Sequence, residues 1–323
     1  MNIFTRVGCI AIIALLNLSC SNQQKKLVFA VVPKLLDNPV FNVAKAGAED
    51  AAKEFGDVEI YWTAPVTSDA AQQASIIESL IERKVDGIAL SVNDPDALKS
   101  VIDKAVDAGI PVVTFDSDAP HSKRLSFYGT NSFEAGMTMA DLLIERMGKK
   151  GKIAIQTGTP GALNLEERIQ GVKEHLKAFP EISVATTQAC YDDINKAVSQ
   201  VEAVHQAHRD LNGWVMVGGW ATFTPPPGPF ADVKPGSVTV IAFDALQEQL
   251  DYVRQGYVQV LVAQKLWGWG YHSVSMLHGI IKEKKKYPDI IDSGVDIVTK
   301  DNVEEYAAKW KTMNFREPAV AQQ

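Results

Sequence analysis

Two carboxylates stand out by position. Asp116 ends the run Val112-Val113-Thr114-Phe115-Asp116, and Asp244 ends Val240-Ile241-Ala242-Phe243-Asp244. Other polar and aromatic residues also sit just after apolar runs. Asn38 and Phe41 follow Leu27–Val32, Tyr191 follows Ile182–Thr187, Trp220 follows Gly213–Gly218, and Gln264 ends Val258–Ala263. Arg168 lies in a helix that opens after Thr157–Gly161. Carboxylates and a guanidinium grip hydroxyls through charge-assisted hydrogen bonds. Flat apolar rings cover C–H faces. The combined chemistry suits a small molecule rich in hydroxyls. Each residue alone has a plainer role: Asp244 as a helix cap, Phe41 and Tyr191 as core, Arg168 as a surface ion pair. Their shared placement carries the reading.

The elements that must hold these residues alternate along the chain. Leu27–Val32 is a continuous apolar run, as in a strand buried on both faces. Asn38 caps the next helix, with Pro39 in its first turn. Phe41, Ala44, Ala48, Ala52 and Phe55 then recur at helical spacing. Strands are expected at Val58–Trp62, Gly87–Val92, Pro111–Asp116 and Leu125–Gly129, with helices over Ala70–Glu82 and after Asp94-Pro95. A second series follows: helix Phe133–Met147, strand Lys152–Gln156, helix Leu163–Ala178, strand Ile182–Thr187, helix Ile194–His208, strand Gly213–Gly218. Prolines in Thr224–Pro229 exclude a regular helix there. Strand Val238–Phe243, a helix to Gln255, strand Val258–Ala263, a long helix from Leu266, strand Val295–Val298 and helix Val303–Trp310 complete the chain. Such alternation implies parallel sheets with helices on both faces. The repeated Phe-Asp ending implies two similar lobes. Ligands of parallel sheets bind outside the carboxyl ends of the strands, so Asp116 and Asp244 are expected to face one cleft from opposite walls.

Composition narrows the function classes. The chain has 323 residues, enough for two domains, and its apolar fraction of 46% is that of a globular protein. A net charge of −7 argues against a partner held through nucleic-acid phosphates. There is no GxSxG elbow, no Walker loop and no GxGxxG after the first strand. Gly158-Thr159-Pro160-Gly161 lacks the Lys and Ser/Thr of a phosphate loop and reads as a turn. No Cys/His pair has zinc spacing, and His205 and His208 read as surface histidines, so neither metal nor cofactor is expected.

Residues 1–20 read as a secretory signal. Arg6 supplies the positive region, and Val7–Leu18 is apolar but too short for a membrane span of about 20 residues. Ser19-Cys20 closes it, and a polar stretch follows. A Cys at this place resembles the lipobox of bacterial lipoproteins, although Asn17 stands where that pattern has Leu and Leu16 lies one place off. The resemblance implies acylation at Cys20; the alternative is simple secretion with cleavage nearby. Cys190 is the only cysteine beyond this segment, so no intramolecular disulfide is expected there.

From Leu27 to Val298 the chain resembles bacterial periplasmic sugar-binding proteins of the ribose-binding type, the receptors of ABC importers. The resemblance is carried by Asp37-Asn38-Pro39-Val40-Phe41, Gly109–Asp116, Glu167-Arg168-Ile169-Gln170-Gly171, Ile241-Ala242-Phe243-Asp244 and Ala263-Gln264, in that order. It implies that Asn38 binds ligand, that Phe41 and Tyr191 stack on it, and that Asp116, Asp244 and Arg168 hold its hydroxyls from opposite lobes. It makes Gln264 a hydrogen-bonding residue at a hinge. Five positions depart from the ribose type. Ser117 replaces an Arg, Gly218 and Gly219 replace an Asn-Asp pair, Lys34 replaces a small polar residue, and Ser91 replaces a ligand Asn. The scaffold is kept and the specificity set altered; Lys34 then restores the missing positive charge, and Trp220 fills the space above the glycines.

The expectation is an α/β protein with two doubly wound parallel-sheet lobes, a type I periplasmic binding fold. The first lobe would be residues 26–130 with 265–292, the second 131–264 with 293–323, with three crossings between them. The ligand would be a small carbohydrate or polyol, and the partner an ABC permease in the inner membrane, with no nucleic acid. The protein would act as a monomer, periplasmic or at the cell surface, and lipid-anchored through Cys20. The alternatives are a sugar-sensing domain feeding a chemoreceptor or kinase, and a secreted α/β sugar enzyme.

Overall fold

The computed structural model describes residues 25–312. The expected signal segment and Cys20 lie outside them. The first series of elements is β1 (Leu27–Val32), α1 (Pro39–Phe55), β2 (Val58–Trp62), α2 (Ala70–Glu82), β3 (Gly87–Leu90), α3 (Pro95–Asp107), β4 (Val112–Phe115) and β5 (Phe127–Gly129). The second is α4 (Ser132–Met147), β6 (Gly151–Thr157), α5 (Leu163–Leu176), β7 (Ile182–Ala189), α6 (Ile194–Ala207), β8 (Gly213–Met216), β9 (Thr239–Phe243), α7 (Gln247–Gln255) and β10 (Val260–Ala263). The chain ends with α8 (Leu266–Glu283), β11 (Ile290–Asp292), β12 (Asp296–Val298) and α9 (Val303–Thr312). Short 3-10 turns at Trp220–Thr222 and Gly228–Phe230 stand where the prolines deny a helix.

The two sheets share one topology. The first runs β2-β1-β3-β4-β5-β11 and the second β7-β6-β8-β9-β10-β12. Both reverse strand order beside their first strand, β1 or β6, and the crevice at such a switch point is where ligands bind. One expectation needs correction: β12 lies antiparallel to β10, closing an otherwise parallel sheet. β11, parallel to β5, is an element the sequence reading did not include. The chain crosses between lobes after β5, after β10 and between β11 and β12. The first and last of these crossings are tied together. Ser293 N–H donates to Gly129 O at 2.8 Å, and Asn131 N–H donates to Asp292 Oδ1 at 3.0 Å.

Why the helices start where they do is plain. Asn38, Asp69, Asp94, Asn131 and Asp193 each accept a backbone N–H of the following first turn. Each such cap contributes about 1 kcal/mol. The strands bury both faces: β3, β4, β8 and β10 are buried at every position.

In each lobe two helices meet backbone to backbone through reciprocal glycines. A Cβ on Gly47 of α1 would lie 2.0 Å from Trp267 O of α8, and one on Gly270 of α8 would lie 1.8 Å from Ala44 O of α1. A Cβ on Gly136 of α4 would lie 2.1 Å from Arg168 O of α5, and one on Gly171 of α5 would lie 2.1 Å from Phe133 O. Only glycine permits such approach. These pairs seat the helices that carry Asn38, Phe41 and Arg168.

His205 departs from the surface reading. It is buried, and its Nε2 accepts the Trp214 Nε1–H at 3.0 Å. Burial holds its imidazole below the ordinary pKa, with the Arg209 charge acting in the same direction.

Candidate functional site

The loops beyond the strand ends converge on one narrow, nearly closed cleft between the lobes. Lys34, Asn38, Phe41, Asp116, Arg168, Trp220, Asp244 and Gln264 all line it. Asp116 and Asp244 both hold positive φ, 59° and 68°, at the turn that ends their strands. Asp tolerates this left-handed region better than most residues. Neither caps a helix; α7 begins at Gln247 with Leu246 in the cap position.

On the first-lobe wall, Ser91 Oγ donates to Asp116 Oδ2 at 2.7 Å. Ser91 is fully buried behind the cleft and orients the carboxylate. Lys34 Nζ lies 3.7 Å from the same oxygen. Burial holds the Lys34 ammonium below its usual pKa, opposed by Asp116 and Asp192. Asn38 spends its Oδ1 on the Val40 N–H at 3.2 Å. Phe41, Phe115 and Trp269 form an aromatic group with ring centroids 6.1 to 6.4 Å apart.

On the opposite wall, Arg168 is buried and its guanidinium lies 3.8 Å above the Phe243 ring. Its Nη1 donates to Val217 O at 2.9 Å and its Nη2 to Gln264 Oε1 at 2.7 Å. Gln264 Nε2 in turn donates to Asp244 Oδ1 at 2.8 Å. The chain Arg168–Gln264–Asp244 thus links α5 to the crossing after β10. Burial pushes the Asp244 carboxyl up to about 6, against the pull of Gln264 and Arg168. Burial also lowers the Arg168 pKa, opposed by Asp116, Asp244 and Glu167. Trp220 lies against Gly158 and Gly218, where a Cβ would come within 2.6 and 2.3 Å of the indole. The two glycines make the slot for the ring. Arg168 Nε, Trp220 Nε1 and Trp269 Nε1 are buried donors without a partner among the described residues.

Two expected residues do not line the cleft: Ser91, which lies behind Asp116, and Tyr191. Tyr191 is 56% exposed, with Lys196 Nζ 4.0 Å from its ring centroid. β7 runs two residues beyond Thr187, to Ala189, and Tyr191 and Asp192 then both take positive φ. That turn sends the ring outward, and Asp192 lines the cleft instead, accepting the Thr159 Oγ1 hydroxyl at 2.5 Å. Just before it, the Cys190 thiol is buried and pushed up to about 12. The sequence reading also did not single out Asn164, Leu165, Phe223 and Trp269, all in the lining. Among the described residues no cluster of His, Cys, Asp and Glu could hold a metal.

Two walls of hydroxyl-binding groups and rings, set on twin switch points and joined by three crossings, define a two-lobed solute-binding protein. A model of the periplasmic binding protein domain matches residues 29–286, and the chain belongs to that family. The family is a binding component of transporters, which sets aside the enzyme reading. Among solved structures, an ABC-transporter solute-binding protein from Burkholderia graminis in complex with D-arabinose is 39% identical; the match covers 87% of this chain and 98% of that one, with a TM-score of 0.82. A solute-binding protein from Agrobacterium vitis bound with alpha-D-tagatopyranose is 27% identical over 87% of this chain and 97% of that one, with a TM-score of 0.80. The ribose import binding protein RbsB of Bacillus subtilis is 27% identical, covering 76% of this chain and 79% of that protein.

Proposed function

We propose that the chain is the solute-binding component of an ABC importer and that its cleft takes a neutral monosaccharide or polyol. The observation that supports this is the opposition of Asp116 to Arg168 and Asp244 across a cleft that also presents Phe41 and Trp220. Two cations, Lys34 and Arg168, face three carboxylates, Asp116, Asp192 and Asp244, so the lining favours neutral ligands over sugar acids or phosphates. Pentoses lead the panel, because the 39%-identical neighbour holds D-arabinose. Lys34, Asn38, Asp116, Arg168, Asp244 and Gln264 bind the hydroxyls, Ser91 orients Asp116, and Phe41 and Trp220 cover the C–H faces. The lobes divide at 130/131, 264/265 and 292/293. The protein works outside the cytoplasm with a membrane permease, as a monomer anchored through Cys20.

Calorimetric titration against pentoses, hexoses, deoxysugars and polyols tests this. A hit is expected, and Asp116→Ala or Arg168→Ala should weaken it by one to two orders of magnitude. Hydrogen bonds to charged groups contribute roughly 1.5–3 kcal/mol each. Asp116→Ala should melt near the parent, whereas Arg168→Ala should also lose stability because Val217 O and Gln264 lose their donor, so its affinity is read well below its own melting temperature. Unchanged affinity in both variants would remove the site assignment, and silence across the panel would remove the sugar.

A further inference from the structure

The side chain of Asn164 makes its polar contacts across the cleft rather than within its own lobe. It sits in the first turn of α5, in the second lobe, and is buried. Its Nδ2 donates to Asp116 Oδ1 at 3.0 Å, and its Oδ1 accepts from Lys34 Nζ at 2.8 Å. Both partners belong to the first lobe, following β4 and β1. Asn favours helix caps, yet α5 begins at Leu163 with Ala162 in the cap position and no side-chain cap, and Asn164 lies one residue inside the helix. The amide of Asn164 is therefore free to reach across.

We infer that Asn164 is a latch that closes the cleft through protein–protein contacts alone, so that the lobes sample the closed state before any solute arrives. Closing removes water from the Lys34 ammonium and the Asp116 carboxylate, whose own separation of 3.7 Å is long for a direct hydrogen bond. The Asn164 amide supplies what that pair lacks, a donor for the anion and an acceptor for the cation. Apolar contact reinforces closure: Leu246, of the second lobe, is part of the buried cluster built on Phe41, Phe115 and Trp269. Asn164 acts here as a positioning residue. It sets the fraction of closed molecules, and apparent affinity scales with that fraction.

The inference rests on the cleft being the binding site, but its first readout needs no sugar. Small-angle scattering of the ligand-free protein should give a larger radius of gyration for Asn164→Ala than for the parent, with an unchanged melting temperature. Lys34→Met should expand the molecule in the same way. The double variant should expand it no further than Asn164→Ala alone, because Lys34→Met removes one of the two contacts that Asn164→Ala removes. With a binding sugar in hand, Asn164→Ala should weaken affinity about ten-fold through faster dissociation, with the order of preference among sugars unchanged. Equal radii for parent and Asn164→Ala would overturn the latch, even if affinity fell, and leave Asn164 as a direct ligand. A melting temperature lowered by several degrees at constant radius would also overturn it and make the residue structural. A silent sugar panel with an expanded variant would leave the latch standing and reject the proposed ligand.

Discussion

At the residue scale, Asp244 makes the cleft sensitive to acid. Its carboxyl is raised from 3.8 to about 6, chiefly by burial. In the unfolded chain it titrates near the ordinary value, so the folded state takes up the proton first as pH falls. The stabilisation from that uptake is complete below about pH 3.8 and is lost as pH rises through about 6. His272 works the other way. Burial lowers it to about 4, so its contribution is present above 6.5 and is lost as pH falls toward 4. The two oppose each other, and comparison with Asp244→Asn separates them. From about pH 7.5 to about pH 4.5 the parent should gain melting temperature relative to the variant. Its affinity for a sugar whose hydroxyl donates to the carboxylate should fall over the same range. Parallel profiles for the two proteins would contradict the assigned titration. Asp116, Asp244 and Gln264 were legible because an apolar run that stops abruptly marks a strand end. Asn164 and Trp269 were not, since they lie inside helices where Asn reads as a cap and Trp as core. Asp192 was missed because β7 is an edge strand, largely exposed, whose end has no hydrophobic signal.

Elements, rather than single side chains, fix where Arg168 stands. The carbonyl of Arg168 itself lies against Gly136. Helix propensity alone would make Gly136→Ala stabilising by about 0.5–1 kcal/mol. The contact at 2.1 Å reverses the sign, because backbone must part from backbone. The variant should lose about 1–3 kcal/mol in denaturant unfolding, and sugar affinity should fall because α5 moves with Arg168. Unchanged midpoint and affinity would mean that α4 and α5 separate freely. The strand and helix order was readable because most strands between Leu27 and Ala263 are buried apolar runs and most helices there are amphipathic with a capping Asn or Asp. β11 was unreadable: it has three residues, largely exposed, and is a strand only by virtue of β5 beside it.

For the molecule as a whole, the proposed function makes closure of the lobes the expected motion. The lobes are joined by three crossings, two of which are bonded to each other through Gly129, Asn131, Asp292 and Ser293. Short crossings of this kind absorb a hinge rotation while the sheets stay rigid. Saturation with the identified sugar should therefore lower the radius of gyration in solution and leave circular dichroism unchanged. A constant radius at saturation would argue for a rigid receptor. The twin-lobe plan was visible in the repeated Phe-Asp endings. The cross-cleft contacts were not, because they join residues as far apart in sequence as Lys34 and Asn164.

Cys190 gives the second lobe a chemical clock. Its thiol is buried, and its ionisation is pushed up to about 12, so the folded protein offers almost no thiolate to an alkylating reagent at neutral pH. Its backbone N–H is bonded to Thr157 O at the end of β6, next to the cleft residue Asp192. Alkylation of that sulfur must wait for β6 and β7 to part. The rate at which Cys190 gains an alkyl group therefore counts local unfolding of the second lobe, and slowing of that rate by a sugar would measure how far binding reaches into the sheet.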